Sequence, residues 1–211
     1  TPLFTALQLT HNPSPQGHGI WRSQGVLGAR GRNVRLSMLE EDWQMPHEDV
    51  AKLVPANFVG TVPSGLTPEA VHGIAGASIV IADRNGYGLT GAADEVDIRF
   101  YASSGNGGTA NAMLLSAVNS QPGDVTMMIL MFLLGQVGID DWVPPEIVQS
   151  VFDATLTATA NGRIVVITGA NDLTSRNPPR YLIMAVVDNG PALKVLEPFM
   201  EKMVTTAGAI P

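Results

Sequence analysis

Several stretches of this 211-residue chain hold side chains of a type and spacing suited to chemistry. In VHGIAGASIVIADRNGYGLTGAA, residues 71–93, His72 opens an apolar segment that closes in a glycine-rich turn. Thr67-Pro68-Glu69 immediately before it reads as a helix start, with Thr as N-cap and Pro at the first helical position. An imidazole in that first turn feels the positive end of the helix dipole, which favours the neutral ring a general base needs. Gly73 and Gly76 would let another backbone approach. A histidine so placed is also commonly a half-buried packing residue satisfied by a carbonyl or a water.

Three other clusters have ligand-like residue types. Ser103-Ser104-Gly105-Asn106-Gly107-Gly108-Thr109 sits between an expected strand and an expected helix, where backbone N–H groups could cradle a small anion or a nucleotide phosphate. It has neither the P-loop lysine nor a complete GxGxxG. His47-Glu48-Asp49 has metal-ligand residue types, but neighbours on a helix point apart, and a solvated helix start accounts for them. Asp83, Asn85, Asp94, Glu95 and Asp97 are oxygen donors of the kind calcium accepts, without the spacing of an EF-hand loop. No cofactor is expected, calcium being the one candidate ion.

The elements that must position these residues follow from periodicity and punctuation. Residues 1–18, rich in Pro, Gln and Asn, read as a surface arm, and residues 20–27 as a short helix closed by Gly28. Strands are expected at 34–39, 56–59, 96–101, 125–134, 163–168 and 181–187, with helices from Thr67, over 109–118 and over 145–159. The helix after Thr67 is apolar almost all round, which predicts burial. Continuous apolar strands alternating with helices predict one α/β domain over 1–211, a three-layer, doubly wound, mostly parallel sheet whose ligands sit beyond the carboxyl ends of the strands.

Bulk properties exclude some functions. A net charge of −7 with no Lys/Arg cluster opposes nucleic-acid binding. The longest strongly apolar run, residues 125–134, is short of the roughly 20 residues a membrane helix needs, and TPLFTALQLT has no basic signal-peptide n-region, so a soluble protein without a membrane partner is expected. Only 15% of residues are charged, against a usual ~25%. The absence of cysteine fits any compartment.

The stretch from His72-Gly73 through IAGAS to ADRNGYGLTGAADEVDIRFYA resembles the subtilase family of serine peptidases, whose histidine motif has the form HGTxVAG before a glycine-bearing turn and a strand. PHEDVAKLVPANFVG (46–60), GRIVVITGAND (162–172) and KVLEPFMEKMVTTAG (194–208) resemble further family segments in family order. The resemblance implies a subtilisin-like fold, a secreted location and a peptide substrate. Carried over by position, it puts the catalytic histidine on His72 and the oxyanion asparagine on Asn171, and it sets Leu134, Gly135, Gly105 and Gly107 along the substrate cleft.

It also implies two losses. The family aspartate, read in a DxE pattern before an aromatic, falls on Met38, whose thioether cannot accept a charge-assisted bond from imidazole; Glu40 and Asp42 lie nearby but require a shifted register. The GTSxAxP serine has no counterpart, Ser175 being the last serine, and Thr205 and Thr206 read as β structure. Ile74 and Ser78 depart from the histidine motif, and MMILMFLLGQVG (127–138) is apolar where the family strand is small or polar. The expectation is therefore an inactive, truncated subtilase-like domain, a fragment or an engineered, repacked scaffold whose apolar active-site end could self-associate. The alternative is a small-anion or nucleotide-binding module built on the 105–108 loop.

Overall fold

Leu36 to Glu40 form an unbroken buried run, the pattern of a strand covered on both faces. In the computed structural model, which describes residues 1–136 and 139–168, this run is strand β1, Arg35–Glu40. It follows a one-turn helix α1, Ile20–Ser23. Strand β2, Asp97–Ala102, pairs with β1 in parallel, from Arg35 opposite Asp97 to Glu40 opposite Ala102. Parallel neighbours require a crossover, and helix α2, Pro68–Ile81, supplies it. The chain falls into two compact units, Thr1–Gly108 and Thr109–Pro211, and this βαβ element is the centre of the first.

Helix α2 starts as its sequence predicts, with Thr67 extended (φ −84°, ψ 157°) and Pro68 at the first position. Its buried residues are Ala70, Gly73, Ile74, Ala77, Ser78 and Ile81, a three-and-four spacing that defines one face. Val71 and Ile79 are 60% and 59% exposed, so burial is one-sided rather than complete. The reason is the size of the side chains. Gly, Ala and Ser on the packed face let the helix approach closely, and apolarity around the whole circumference does not reveal which side does so. At Gly73 a Cβ would collide with the Asp42 carbonyl oxygen and lie 3.0 Å from the Trp43 ring.

Trp43, Phe58 and Phe100 form an aromatic cluster with ring centroids 5.1–5.4 Å apart. Residues 56–59 do not form the expected strand. Pro55, lacking an N–H for a ladder, begins a 3-10 turn over Pro55–Asn57, and Phe58 makes only an isolated bridge to Phe100. The N-terminal arm is fastened down: Leu3 bridges Gly88, and the Gln8 amide makes two 2.9 Å bonds to the Thr90 backbone. His11, fully buried, packs against Trp21 with the rings tilted by 47°.

In the second unit, helix α3, Thr109–Val118, matches its predicted bounds, and strand β3, Val125–Met128, pairs in parallel with β6, Ile164–Ile167. The expected strand over 125–134 is broken. Strands β4, Phe132–Gln136, and β5, Ile139–Val143, pair antiparallel as a separate sheet. A continuous apolar run carries no mark of where its strand changes partner. The expected helix over 145–159 is a 3-10 turn, Pro145–Ile147, then α4, Gln149–Ala160, because Val148 is extended between them. The expected strand at 181–187 lies outside the described residues. Among those described, no helix is long and apolar enough to cross a membrane.

Replacing Gly73 by Ala tests the close approach of α2. Alanine favours an exposed helix by about 1 kcal/mol over glycine, but overpacking against backbone costs about 1–3 kcal/mol. Gly73→Ala is expected to lower the urea midpoint; a raised midpoint would show that α2 and residues 42–43 are not in contact.

Candidate active site

β1 runs out at Glu40, and the crossover brings the first turns of α2 back to the same end, so the carboxyl end of a parallel strand meets the amino end of a helix. Two side chains converge there. His72 Nδ1 lies 2.6 Å from Glu40 Oε1. Glu40 is buried, with 3% of its side chain exposed, whereas the His72 side chain is 55% exposed. An ionised carboxylate only accepts, so with Glu40 charged the short contact requires the proton on His72 Nδ1, and in the neutral ring Nε2 is then the base.

Burial raises the Glu40 carboxyl from 4.5 to about 6, against the opposing pull of its hydrogen bond and charge interaction with His72. Above that pH Glu40 is a carboxylate. Glu41 is also raised, by burial and by the neighbouring charges of Glu69 and Asp42.

The expectation that Met38 leaves the imidazole without a carboxylate does not hold. Met38 is fully buried in β1, and the acid that reaches His72 is the first carboxylate to follow the strand's apolar run. The signal was present in LSMLEE: Glu40 closes the strand, where open parallel sheets place their functional groups.

The glycine loop is spent on its own structure. Gly105 N–H donates to Ala102 O and Gly108 N–H to Ser103 O, while the Asn106 amide donates to the Ala102 and Val59 carbonyls. Gly107 and Gly108 have φ of 76° and 98°, so glycine serves the turn itself. A Cβ on Gly105 would strike Thr61. These two N–H groups are thereby committed within the loop rather than open to a phosphate.

The acidic residues weighed as calcium ligands are otherwise engaged. Asp94 pairs with Arg30, Glu95 with Arg30 and Arg32, and Asp97 with Arg35 and Arg99. Asp83 accepts from Ala51 N–H, and Asn85 donates to Asp49. His47-Glu48-Asp49 forms a turn rather than a helix start, with Asp49 buried and accepting from Leu89 N–H. Among the described residues no three such side chains are grouped to hold a metal. Leu134 and Gly135 lie on β4. Asn171, Ser175, Thr205 and Thr206 lie outside the described residues.

The raised Glu40 value fixes a pH dependence. Because the fold prefers the protonated carboxyl, its stabilising contribution is complete below about 4.5 and is lost as pH rises through about 6. At ~1.4 kcal/mol per pH unit, charge burial above that range costs about 2 kcal/mol. Glu40→Gln, which keeps an acceptor oxygen without the charge, is expected to be about 2 kcal/mol more stable than the parent at pH 8 in urea unfolding, with the difference gone at pH 4. An equal difference at both values would contradict a buried charge at this position.

The sequence matches no protein-family model and no curated protein. Among solved structures, a protease of Pseudoalteromonas arctica PAMC 21717 is similar with a TM-score of 0.55 and 20% identity, over 81% of this chain and 59% of that one. MycP1 from the ESX-1 type VII secretion system has a TM-score of 0.47 and 15% identity, over 76% of this chain and 46% of that one. The chain thus spans less than two thirds of the length of each. At such identity the likeness concerns the fold alone: a mixed α/β chain with parallel strands, similar in fold to a protease.

Proposed function

We propose that residues 1–211 carry the general-base half of a subtilase-type serine peptidase site, Glu40 orienting His72, and that these residues alone do not hydrolyse peptides. The observation that carries the reading is the 2.6 Å contact between His72 Nδ1 and the buried Glu40. An imidazole held through Nδ1 by a buried carboxylate keeps one tautomer and turns its basic Nε2 outward, the arrangement by which a hydroxyl nucleophile is activated in acyl transfer. The family-order motifs and the protease-like fold support the same reading.

In the reaction, an attacking hydroxyl gives its proton to Nε2 as it adds to the peptide carbonyl, and the ring returns that proton to the leaving amine. The resemblance assigns stabilisation of the oxyanion to Asn171. With Glu40 in the carboxylate role, the nucleophile is the missing part: no GTSxAxP segment occurs in residues 1–211. The same resemblance supports a location outside the cytoplasm and a peptide as substrate.

A fluorophosphonate probe and an activated ester together test this reading. No stoichiometric labelling of the 211-residue chain is expected, together with slow p-nitrophenyl acetate hydrolysis that falls to background in His72→Ala. Stoichiometric labelling would reveal a nucleophile within these residues and overturn the absence of peptidase activity. Ester hydrolysis unchanged in His72→Ala would overturn the general-base role.

A further inference from the structure

Two residues past Glu40, the loop leaving β1 contains a second buried acid, whose hydrogen bonds go to groups other than the imidazole. Asp42 is 2% exposed. Its Oδ1 accepts the Trp43 N–H at 2.6 Å and the Gly65 N–H at 3.1 Å, and its Oδ2 accepts the Thr67 hydroxyl at 3.0 Å. Thr67 is the N-cap residue of α2, yet its hydroxyl makes no capping bond to the helix. A side chain that would ordinarily satisfy its own helix's N–H groups is given to Asp42 instead.

Two further contacts continue the same seam. Gln44 N–H donates to Ala70 O in the first turn of α2, at 3.1 Å, and the Asp42 carbonyl closes on Gly73. The loop at 42–44 therefore grips the segment leading into α2, at Gly65 and Thr67, and the helix itself at Ala70 and Gly73, on both sides of His72 in the sequence. Glu40 lies at one end of that seam.

We infer that Asp42 is a positioning residue for the Glu40–His72 pair: it joins the end of β1 to the start of α2 and so sets the distance between carboxylate and imidazole. This rests on the reading of that pair as the working base. Thirty-two positions separate Glu40 from His72 along the chain, so their hydrogen bond depends on contacts that hold strand end and helix start together. A displacement of about 1 Å at a catalytic group can cost on the order of 100-fold in rate, and Asp42 is the side chain placed to prevent one here.

The experiment reads the hydrogen-bonded Nδ1–H proton of His72 by NMR in the ¹⁵N-histidine-labelled 211-residue chain, assigned by its loss in His72→Gln. Asp42→Ala and Thr67→Val, checked by circular dichroism to be folded, are expected to move that resonance upfield or abolish it. Asp42→Asn, which retains an oxygen for the Trp43 and Gly65 N–H groups, should move it less. Asp49→Ala removes another buried carboxylate that ties loops together and should leave the resonance in place. Folded Asp42→Ala and Thr67→Val with the parent resonance would overturn the positioning role; if Asp42→Ala does not fold, Thr67→Val at its exposed position decides alone. A parent lacking the resonance, or one unmoved in Glu40→Gln, is a separate failure, that of the Glu40–His72 reading itself.

Discussion

A carboxylate taken out of water loses hydration worth several kcal/mol, and the protein must return that in charge or hydrogen bonds or leave the group partly protonated. Glu40 shows both responses. It is buried at the end of β1 with its carboxyl raised to about 6, and it holds the half-exposed His72 at 2.6 Å. The rest of the candidate site depends on this contact, because it decides which imidazole nitrogen carries the proton and which is left as the base.

The fold meets that requirement through one βαβ element. A parallel pair, β1 and β2, is buried deeply enough that the strand can end in a charged residue only where it leaves the sheet, and the crossover helix must begin at that same end. Small residues on α2 bring its backbone against the loop at 42–43, where Trp43 is embedded among Phe58 and Phe100. Aromatic packing thus lies directly beneath a polar site. The rigidity that orients a general base comes from that packing together with the carboxylate-centred hydrogen bonds above it.

Much of this was legible in the residues themselves. Thr67-Pro68 marked the start of α2, the pattern at 34–39 marked β1, and Thr109–Val118 formed the helix that its pattern predicts. The α/β class followed from alternating elements. What remained hidden had physical causes. The family pattern falls on Met38 and leaves Glu40 and Asp42 both nearby, and only the three-dimensional return of α2 picks out Glu40 as the carboxylate that meets His72. The Gly105–Gly108 loop has the composition of an anion cradle, but composition does not say whether its N–H groups point outward or back to Ala102 and Ser103. The β4–β5 hairpin was concealed within one apolar run, where a change of partner leaves no change in hydropathy.

The account stands on Glu40 holding the Nδ1 proton of His72, and the tautomer of that ring is the most direct measure of it. In the ¹⁵N spectrum of the histidine-labelled chain at pH 8, the neutral His72 ring is predicted to carry its proton on Nδ1, with Nε2 unprotonated. A ring protonated on Nε2 instead would contradict the hydrogen bond on which the site is built, and the general-base role with it.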